Sequence, residues 1–217
     1  MSVIGIIGAM EEEVAALKEK MQISGVLKKA SMEFYKGTLQ GKPVVVVRSG
    51  IGKVNAGLCT QILVDVFGVS KVINTGIAGS LDARIDIGDI VISTEALQHD
   101  MDATQFGYPL GQIPRMETFA FPADEAMVKV AKEACEKVNP EISVFTGRVV
   151  TGDQFVASKD VKDHIKNNFD GLCTEMEGAA IAQAAWLNKV PFVIIRAISD
   201  KADDSAEMDY PTFERQA

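Results

Sequence analysis

Short apolar runs alternate with segments of helical periodicity along almost the whole chain. Runs at 3–7, 72–74 and 191–198 are each closed by glycine or polar residues. Runs of this kind are typical of strands buried on both faces of a parallel sheet. The alternation predicts a single α/β domain over residues 1–217, in which a mixed, mostly parallel twisted sheet is flanked by helices.

Two segments between these runs carry additional signals. A helix is predicted after Gly52, because apolar residues recur on one face: Val54, Leu58, Ile62 and Val66. Residues 98–122 form a long polar stretch that exceeds the usual length of a connection. Loops of that length are typically functional or form interfaces.

The composition excludes several classes of function. The chain has 22 Lys and Arg against 30 Asp and Glu, a net charge of −8, which opposes nucleic acids and anionic membranes as partners. Three cysteines in no pattern and two histidines argue against a disulfide framework, a zinc site or a Ser/His triad. No segment approaches the ~20 apolar residues that span a bilayer. Because the apolar start runs directly into three glutamates, it does not resemble an export signal, and a cytoplasmic protein is predicted.

Small or functional residues follow four of the predicted strands, at 8–10, 49–52, 75–79 and 199–200. Ligands of open α/β sheets bind beyond the carboxyl ends of the strands, so these segments predict one pocket. The 50–52 segment begins like a dinucleotide fingerprint, but Asn55 stands where the third glycine is needed. A nucleotide cofactor is therefore not expected.

Acidic residues near these segments have two interpretations. Glu13 and Glu177 could be catalytic, or they could be solvated first-turn residues that favour the helix dipole. Asp200 could be catalytic, or could begin a flexible acidic loop. Residues 99–102 (HDMD) could bind a metal, but no second histidine or cysteine lies at ligand spacing, which favours a polar turn.

Six motifs in order resemble the family of bacterial 5′-methylthioadenosine/S-adenosylhomocysteine nucleosidases. They are 5–13 (GIIGAMEEE), 49–53 (SGIGK), 74–76 (NTG), 152–155 (GDQF), 175–177 (EME) and 196–200 (RAISD). The resemblance runs from residue 3 to about residue 213. It implies a nucleoside phosphorylase-like fold, a homodimer without cofactor or metal, and hydrolysis of the N-glycosidic bond of 5′-methylthioadenosine, S-adenosylhomocysteine and 5′-deoxyadenosine, with a role in methionine salvage.

The resemblance also implies catalytic roles that make chemical sense. Breaking the bond leaves an oxocarbenium-like sugar and an adenine anion, so the base needs a proton and the sugar needs a water. Asp200 would protonate adenine N7, which requires a carboxyl group kept protonated by burial or like charges. Glu13 would activate the water, with Arg196 helping to place it, a division of acid and base like that of glycoside hydrolysis.

Binding roles follow in the same way. Glu177 would accept hydrogen bonds from the ribose hydroxyls beside Met176, Phe155 would stack on adenine, and the Val156 backbone would contact the edge of the base. The implied 5′-thio pocket consists of Met10, Ile51 and Tyr210, joined by Phe106 and Pro114 of the partner subunit. Ala78, Gly79, Glu175 and Ser199 complete the expected substrate-binding set.

Two departures and two alternatives accompany the resemblance. Many family members have serine where this chain has Ile77, so water placement would depend more on Glu13 and Arg196. The family also continues into another long helix after 210–213, which this sequence lacks. A purine nucleoside phosphorylase on the same fold is one alternative, although an acidic first loop would repel phosphate. A non-catalytic nucleoside-binding protein is the other.

Overall fold

A mixed sheet of ten strands organises the part of the chain described by the computed structural model, residues 2–206. The strands are β1 Ile4–Gly8, β2 Gln22–Lys29, β3 Met32–Leu39, β4 Lys42–Arg48, β5 Lys71–Ser80, β6 Ile90–Gln98, β7 Phe121–Pro122, β8 Val144–Thr151, β9 Cys173–Glu175 and β10 Phe192–Asp200. The helices are α1 Glu11–Lys20, α2 Lys53–Phe67, α3 Glu125–Val138, α4 Lys159–Phe169 and α5 Gly178–Leu187. The predicted α/β fold is confirmed.

Strand β5 is the branch point of the sheet. Its first residues pair in parallel with β1, which continues through β4 and β3 to β2. Its last two residues, 79–80, pair with β9, and its other edge pairs along most of its length with β10. Strand β10 also pairs with β6, β6 pairs with β8, and β8 pairs with β9. These pairings close five strands into a ring, namely β5, β10, β6, β8 and β9. Residues 75–78 of β5 lie between its partners β1 and β9, so the sheet opens there.

Helices cover both faces of the first half of the sheet. Successive residues of a strand point to opposite faces, and Ile6 and Ile7 do so in β1. Ile6 belongs to a buried cluster with Val14 of α1, whereas Ile7 belongs to the main core with Cys59 and Leu63 of α2. The main core continues into α5, which packs against α2. This packing fixes the first turns of α1, α2 and α5 close to the opening in the sheet.

Several boundaries differ from the sequence prediction. The runs at 75–79 and 199–200 belong to β5 and β10, not to loops after them, because the two strands pair up to Asp200↔Gly79. Small residues in these segments hide their strand character. Strand β2 was not predicted, since all eight of its residues are exposed and no buried alternation marks it. Strand β9 is only three residues long and was missed for that reason.

The apolar stripe predicted on α2 is mostly exposed. Val54 is 73% exposed and Leu58 50% exposed, whereas only Ile62 of the stripe is buried. The helix instead buries the neighbouring face, with Cys59 and Leu63 against the sheet. An exposed apolar stripe on a helix commonly marks a surface that another molecule covers.

The long stretch at 98–122 has little regular structure, namely one short 3₁₀ turn at Thr104–Phe106 and the two-residue strand β7. Phe106 projects from this turn and is 83% exposed. Within residues 2–206, none of the helices has both the length and the apolar character needed to cross a bilayer.

Candidate active site

The opening in the sheet leads to a cavity of about 360 Å³. All four segments that the sequence predicted to form one pocket contribute to its wall, and this prediction is confirmed. The lining residues are Ala9, Met10, Glu13, Ile51, Ile77, Ala78, Gly79, Gln154, Phe155, Val156, Thr174, Glu175, Met176, Glu177, Ser199 and Asp200. The volume suits one small organic ligand.

Glu13 reaches the cavity from the first turn of α1. Its Oε2 accepts hydrogen bonds from the backbone N–H groups of Ala9 (2.5 Å) and Met10 (3.0 Å), so the side chain also caps its own helix. Its Oε1 accepts a bond of 3.1 Å from the N–H of Ile77, in the part of β5 that β1 and β9 leave uncovered. Glu13 is therefore held at the cavity wall, and its side chain is only 5% exposed.

Arg196 lies beneath the cavity on β10 and is 1% exposed. Its guanidinium donates to Glu175 and, at 2.7 Å, to Oδ1 of Asn74. The side chains of Glu13 and Glu177 lie 3.9 Å and 3.7 Å from it. A buried charge is tolerated only when it is paired, and here one cation faces three carboxylates.

Gly76 explains how these groups meet. A Cβ at this position would overlap with both Nη1 of Arg196 and Oε1 of Glu13. Glycine is thus required because two charged side chains cross the backbone of β5 at close range.

Glu175 and Glu177 flank the start of α5 in different environments. Glu175 accepts from Arg196, from the Thr151 hydroxyl and from two backbone N–H groups at the helix start, so its bonding capacity is used within the protein. Glu177 accepts from the N–H of Gly52 at 2.8 Å. Burial, followed by the negative charge of Glu175, raises the pKa of Glu177 to about 7. The charge of Glu177 therefore changes near neutral pH.

Asp200 ends β10 at another part of the cavity wall and is 2% exposed. Its Oδ1 accepts from the N–H of Ala202, and the Ser199 hydroxyl donates to its Oδ2, both at 2.8 Å. Gly79 lies against it, since a Cβ there would come within 2.7 Å of Oδ1. Glu13 adjoins Gly76 and Asp200 adjoins Gly79, so roughly 10 Å of strand separates the backbone positions next to the two acids.

The structure brings most of the predicted site residues together. Ala78, Gly79, Val156, Met176 and Ser199 line the cavity with the acids already described. Arg196 does not line it but supports its floor. Phe106 and Pro114 do not line the cavity of this chain, and Tyr210 lies outside the described residues.

Ala9 and Thr174 line the cavity although neither was assigned a role from the sequence. Ala9 is small and lies within the 5–13 motif, next to Met10, which was assigned to the 5′-thio pocket. Thr174 sits in the unpredicted strand β9, so no sequence signal pointed to it.

The HDMD segment makes contacts within the protein. Asp100 forms an ion pair of 2.6 Å with Lys53, and His99 is buried against Gly152. Burial lowers the pKa of His99, which favours a neutral ring. Across residues 2–206, no group of three or more His, Cys, Asp or Glu side chains is arranged to hold a metal ion.

The branched sheet with an acid-lined cavity at the branch belongs to a protein of the phosphorylase superfamily. The sequence profile of the phosphorylase superfamily matches residues 3–217 of this chain.

Individual relatives define the family more narrowly. A 5′-methylthioadenosine/S-adenosylhomocysteine nucleosidase of Staphylococcus carnosus is 46% identical over 97% of this chain and 91% of its own length. The crystal structure of a nucleosidase of the same name from Colwellia psychrerythraea, in complex with adenine, has a TM-score of 0.95 at 44% identity, with 100% of this chain and 89% of that chain covered. The Neisseria meningitidis nucleosidase, in complex with methylthio-immucillin-A, has a TM-score of 0.96 at 39% identity, with 100% and 94% covered. The chain belongs to the family of 5′-methylthioadenosine/S-adenosylhomocysteine nucleosidases.

The raised pKa of Glu177 predicts a pH-dependent stability. Well below pH 4.5 the side chain is protonated in both the folded and the unfolded chain. As the pH rises, the unfolded chain ionises first and the folded chain only near pH 7, so the free energy of unfolding falls across this window. Glu177→Gln removes the effect, so between pH 5 and pH 8 the variant should gain stability relative to wild type by on the order of 3 kcal/mol.

Urea unfolding at several pH values measures this difference directly. Glu141→Gln, a change at an exposed acid, is the control and should follow the wild-type curve. A constant difference between wild type and Glu177→Gln at all pH values would contradict the assignment.

Proposed function

We propose that this chain hydrolyses the N-glycosidic bond of 5′-methylthioadenosine and S-adenosylhomocysteine, and also of 5′-deoxyadenosine, to release adenine and the 5-substituted ribose. Such a reaction belongs to methionine salvage and to removal of S-adenosylmethionine by-products. The observation that carries the proposal is the cavity itself, where four carboxyl groups and several apolar side chains line a space of about 360 Å³. The relatives named above support the choice of substrate.

The charges in the cavity favour water over phosphate as the attacking group. Glu13, Glu175, Glu177 and Asp200 all line it, and the residues described as lining it include neither Lys nor Arg. Arg196 is below the surface and committed to carboxylates and Asn74. A phosphate would be repelled at this wall. The proposal is therefore a hydrolase and not a phosphorylase.

Asp200 and Glu13 are the proposed acid and base. Asp200 is buried beside Ser199, where it would deliver a proton to adenine N7 as the bond breaks. Glu13 would take a proton from the water that attacks the sugar. Glycosidases that use water directly also hold their two carboxyl groups well apart, at about 6.5–9.5 Å, which leaves room for the reacting atoms.

Arg196 would help to hold Glu13 aimed at the water. Three backbone N–H groups fix the Glu13 carboxylate, and the guanidinium lies 3.9 Å from its Oε1. Ile77 offers only backbone groups to this arrangement. In our proposal the water is placed by Glu13 and the backbone, without help from a side-chain hydroxyl at position 77.

The remaining wall would bind the rest of the substrate. Glu177 has an oxygen 3.7 Å from Arg196 and would accept hydrogen bonds from the ribose hydroxyls beside Met176. Phe155 would stack on adenine, with Val156 contacting the edge of the base. The 5′-alkylthio group would lie against Met10 and Ile51, with Tyr210 also assigned there.

A homodimer is part of the proposal. Ile51, Val54, Leu58 and Phe106 are each at least half exposed, and apolar surface of this kind is a common signature of a subunit interface. Phe106 and Pro114 would then reach the 5′-thio pocket of the partner. A cytoplasmic location is also proposed, because all three cysteines are free and reducing compartments keep thiols unpaired.

Adenine should be released from methylthioadenosine in phosphate-free buffer, because water is the proposed nucleophile. Chromatography of adenine and the sugar product, with and without added phosphate, makes the measurement. Strict dependence on phosphate with a ribose-1-phosphate-type product would identify a phosphorylase. Release of no adenine in either buffer would favour a nucleoside-binding protein.

Asp200→Asn and Glu13→Gln should fail in different ways. Each keeps the shape of the side chain and loses a proton-transfer step that typically contributes ~10²–10⁴-fold, so turnover of methylthioadenosine should nearly vanish in both. A p-nitrophenyl riboside has a leaving group that needs no protonation. On that substrate Asp200→Asn should recover much of its rate, whereas Glu13→Gln should not.

Matched controls are available next to both residues. Glu12 and Asp204 are exposed, so Glu12→Gln and Asp204→Asn should retain wild-type turnover. Near wild-type turnover by Asp200→Asn on methylthioadenosine would mean that another residue is the acid.

Phe106→Ala should weaken binding of the 5′-alkylthio group while leaving inhibition by free adenine unchanged, if the side chain acts across a dimer. The KM of methylthioadenosine and the inhibition constant of adenine separate the two effects. Phe119→Ala removes a less exposed aromatic ring from the same loop and serves as the control. A fully active monomer in sedimentation would contradict the cross-subunit assignment.

A further inference from the structure

Three charged side chains outside the cavity wall form a closed ring at its edge. The Nζ of Lys53, the first residue of α2, donates to Oδ1 of Asp100 at 2.6 Å. The other oxygen of Asp100 accepts from the backbone N–H of Asp153 at 3.0 Å. Oδ1 of Asp153 in turn accepts from the backbone N–H of Lys53 at 2.8 Å. We call these three residues the clasp.

The clasp ties three separate parts of the chain together. Lys53 starts α2, Asp100 follows β6, and Asp153 follows β8. Lys53 also donates to Oε1 of Gln98 at 3.1 Å, which anchors its ammonium group to the end of β6. The side chains of Lys53 and Asp100 are 18% and 28% exposed, so water screens their attraction only in part.

Helix α2 depends on carboxylates from elsewhere to satisfy its first N–H groups. Its N-cap residue is Gly52, no side chain of the helix caps it, and its first turn contains no acid. The N–H of Gly52 is taken by Glu177 and that of Lys53 by Asp153. Carboxylates at this position also interact favourably with the helix dipole. The same helix end therefore contacts both Glu177, the proposed ribose-binding residue, and Asp153 of the clasp.

Asp153, one member of the clasp, lies two residues before Phe155 in the sequence. Residues 152–158 form no helix or strand, and the Phe155 ring at the cavity is 46% exposed. Burial opposes ionisation of Asp100, but the hydrogen bonds from Lys53 and Asp153 outweigh it and lower its pKa. Asp100 thus stays charged at neutral pH and remains an acceptor for both partners.

We propose that Lys53, Asp100 and Asp153 are positioning residues, which hold the 152–156 loop so that Phe155 and Val156 face the base of the bound nucleoside. The proposal rests on the adenine nucleoside hydrolysis described above. The clasp does not touch the reacting atoms. Its loss should weaken binding in the ground state and the transition state alike and leave the chemical step intact.

Kinetics of Lys53→Met and Asp100→Asn test the effect on binding. Lys53→Met removes the ammonium group. Asp100→Asn replaces one acceptor oxygen by an amide N–H donor, which then faces either the ammonium of Lys53 or the backbone N–H of Asp153. Each should raise the KM of methylthioadenosine about tenfold, as expected for loss of a charge-assisted hydrogen bond, with kcat changed by less than about threefold. The KM of the double variant should be little higher than that of either single variant, because each single change already breaks the same ring of hydrogen bonds.

Two further variants provide matched controls. Asp153→Asn keeps the oxygen that accepts from Lys53 and should resemble wild type, whereas Asp153→Ala should behave like Asp100→Asn. The Arg148–Glu95 pair has the same 2.6 Å length and a similar exposure, but it lies away from the cavity. Glu95→Gln therefore measures the general cost of losing such a pair, and its KM should be unchanged.

Hydrogen–deuterium exchange of the ligand-free protein tests the clasp independently of activity. The amides of 152–158 should exchange faster in Lys53→Met, Asp100→Asn and Asp153→Ala than in wild type or Glu95→Gln. A wild-type chain that released no adenine would overturn the proposed function, while faster exchange would still support the clasp.

Two results would overturn the clasp. Unchanged exchange and unchanged KM in both Lys53→Met and Asp100→Asn would show that the loop is held by other contacts. A loss of kcat with unchanged KM would place these residues in the chemical step and not in positioning.

Discussion

The rest of the site depends on the attraction between the buried guanidinium of Arg196 and three carboxylates. Glu13, Glu175 and Glu177 come from two helix starts and a short strand, and their like charges would drive them apart in a poorly hydrated interior. One cation between them makes the cluster possible. Because Glu175 takes the strongest part of this attraction, Glu13 and Glu177 face the same charge at longer range. They are thereby held in place and remain directed at the cavity.

The opening in β5 is the geometric counterpart of this charge arrangement. Where β1 and β9 diverge, the N–H of Ile77 donates a hydrogen bond to Glu13, and Gly76 allows Arg196 to approach β5 closely. The proposed catalytic groups thus lie on strands and first helical turns and not in loops. Rigid mounting suits a reaction in which an acid and a base must act on opposite sides of one bond. The longest irregular segment of the wall, around Phe155, is the part that the clasp is proposed to hold.

Much of the fold and site could be predicted from sequence because the signals were local. Buried apolar runs identified β1 and β10, and the strand-end segments correctly predicted a single pocket. Prediction failed where a local signal was absent or had two explanations. The exposed strand β2 has no alternation to detect. The apolar stripe of α2 indicates a helix correctly but does not show which face the sheet covers, since both faces carry apolar residues.

The sequence by itself determined the alternation of strands and helices, the acidic character of the chain and the motifs that define its family, because these properties lie within short segments. Only the tertiary structure decided which acids share a cation, since Glu13 and Arg196 are far apart in the chain and meet through strand pairing. It also decided that Asp100 forms an ion pair with Lys53. Such relations depend on packing between distant segments, where distance and burial set the strength of every charge interaction.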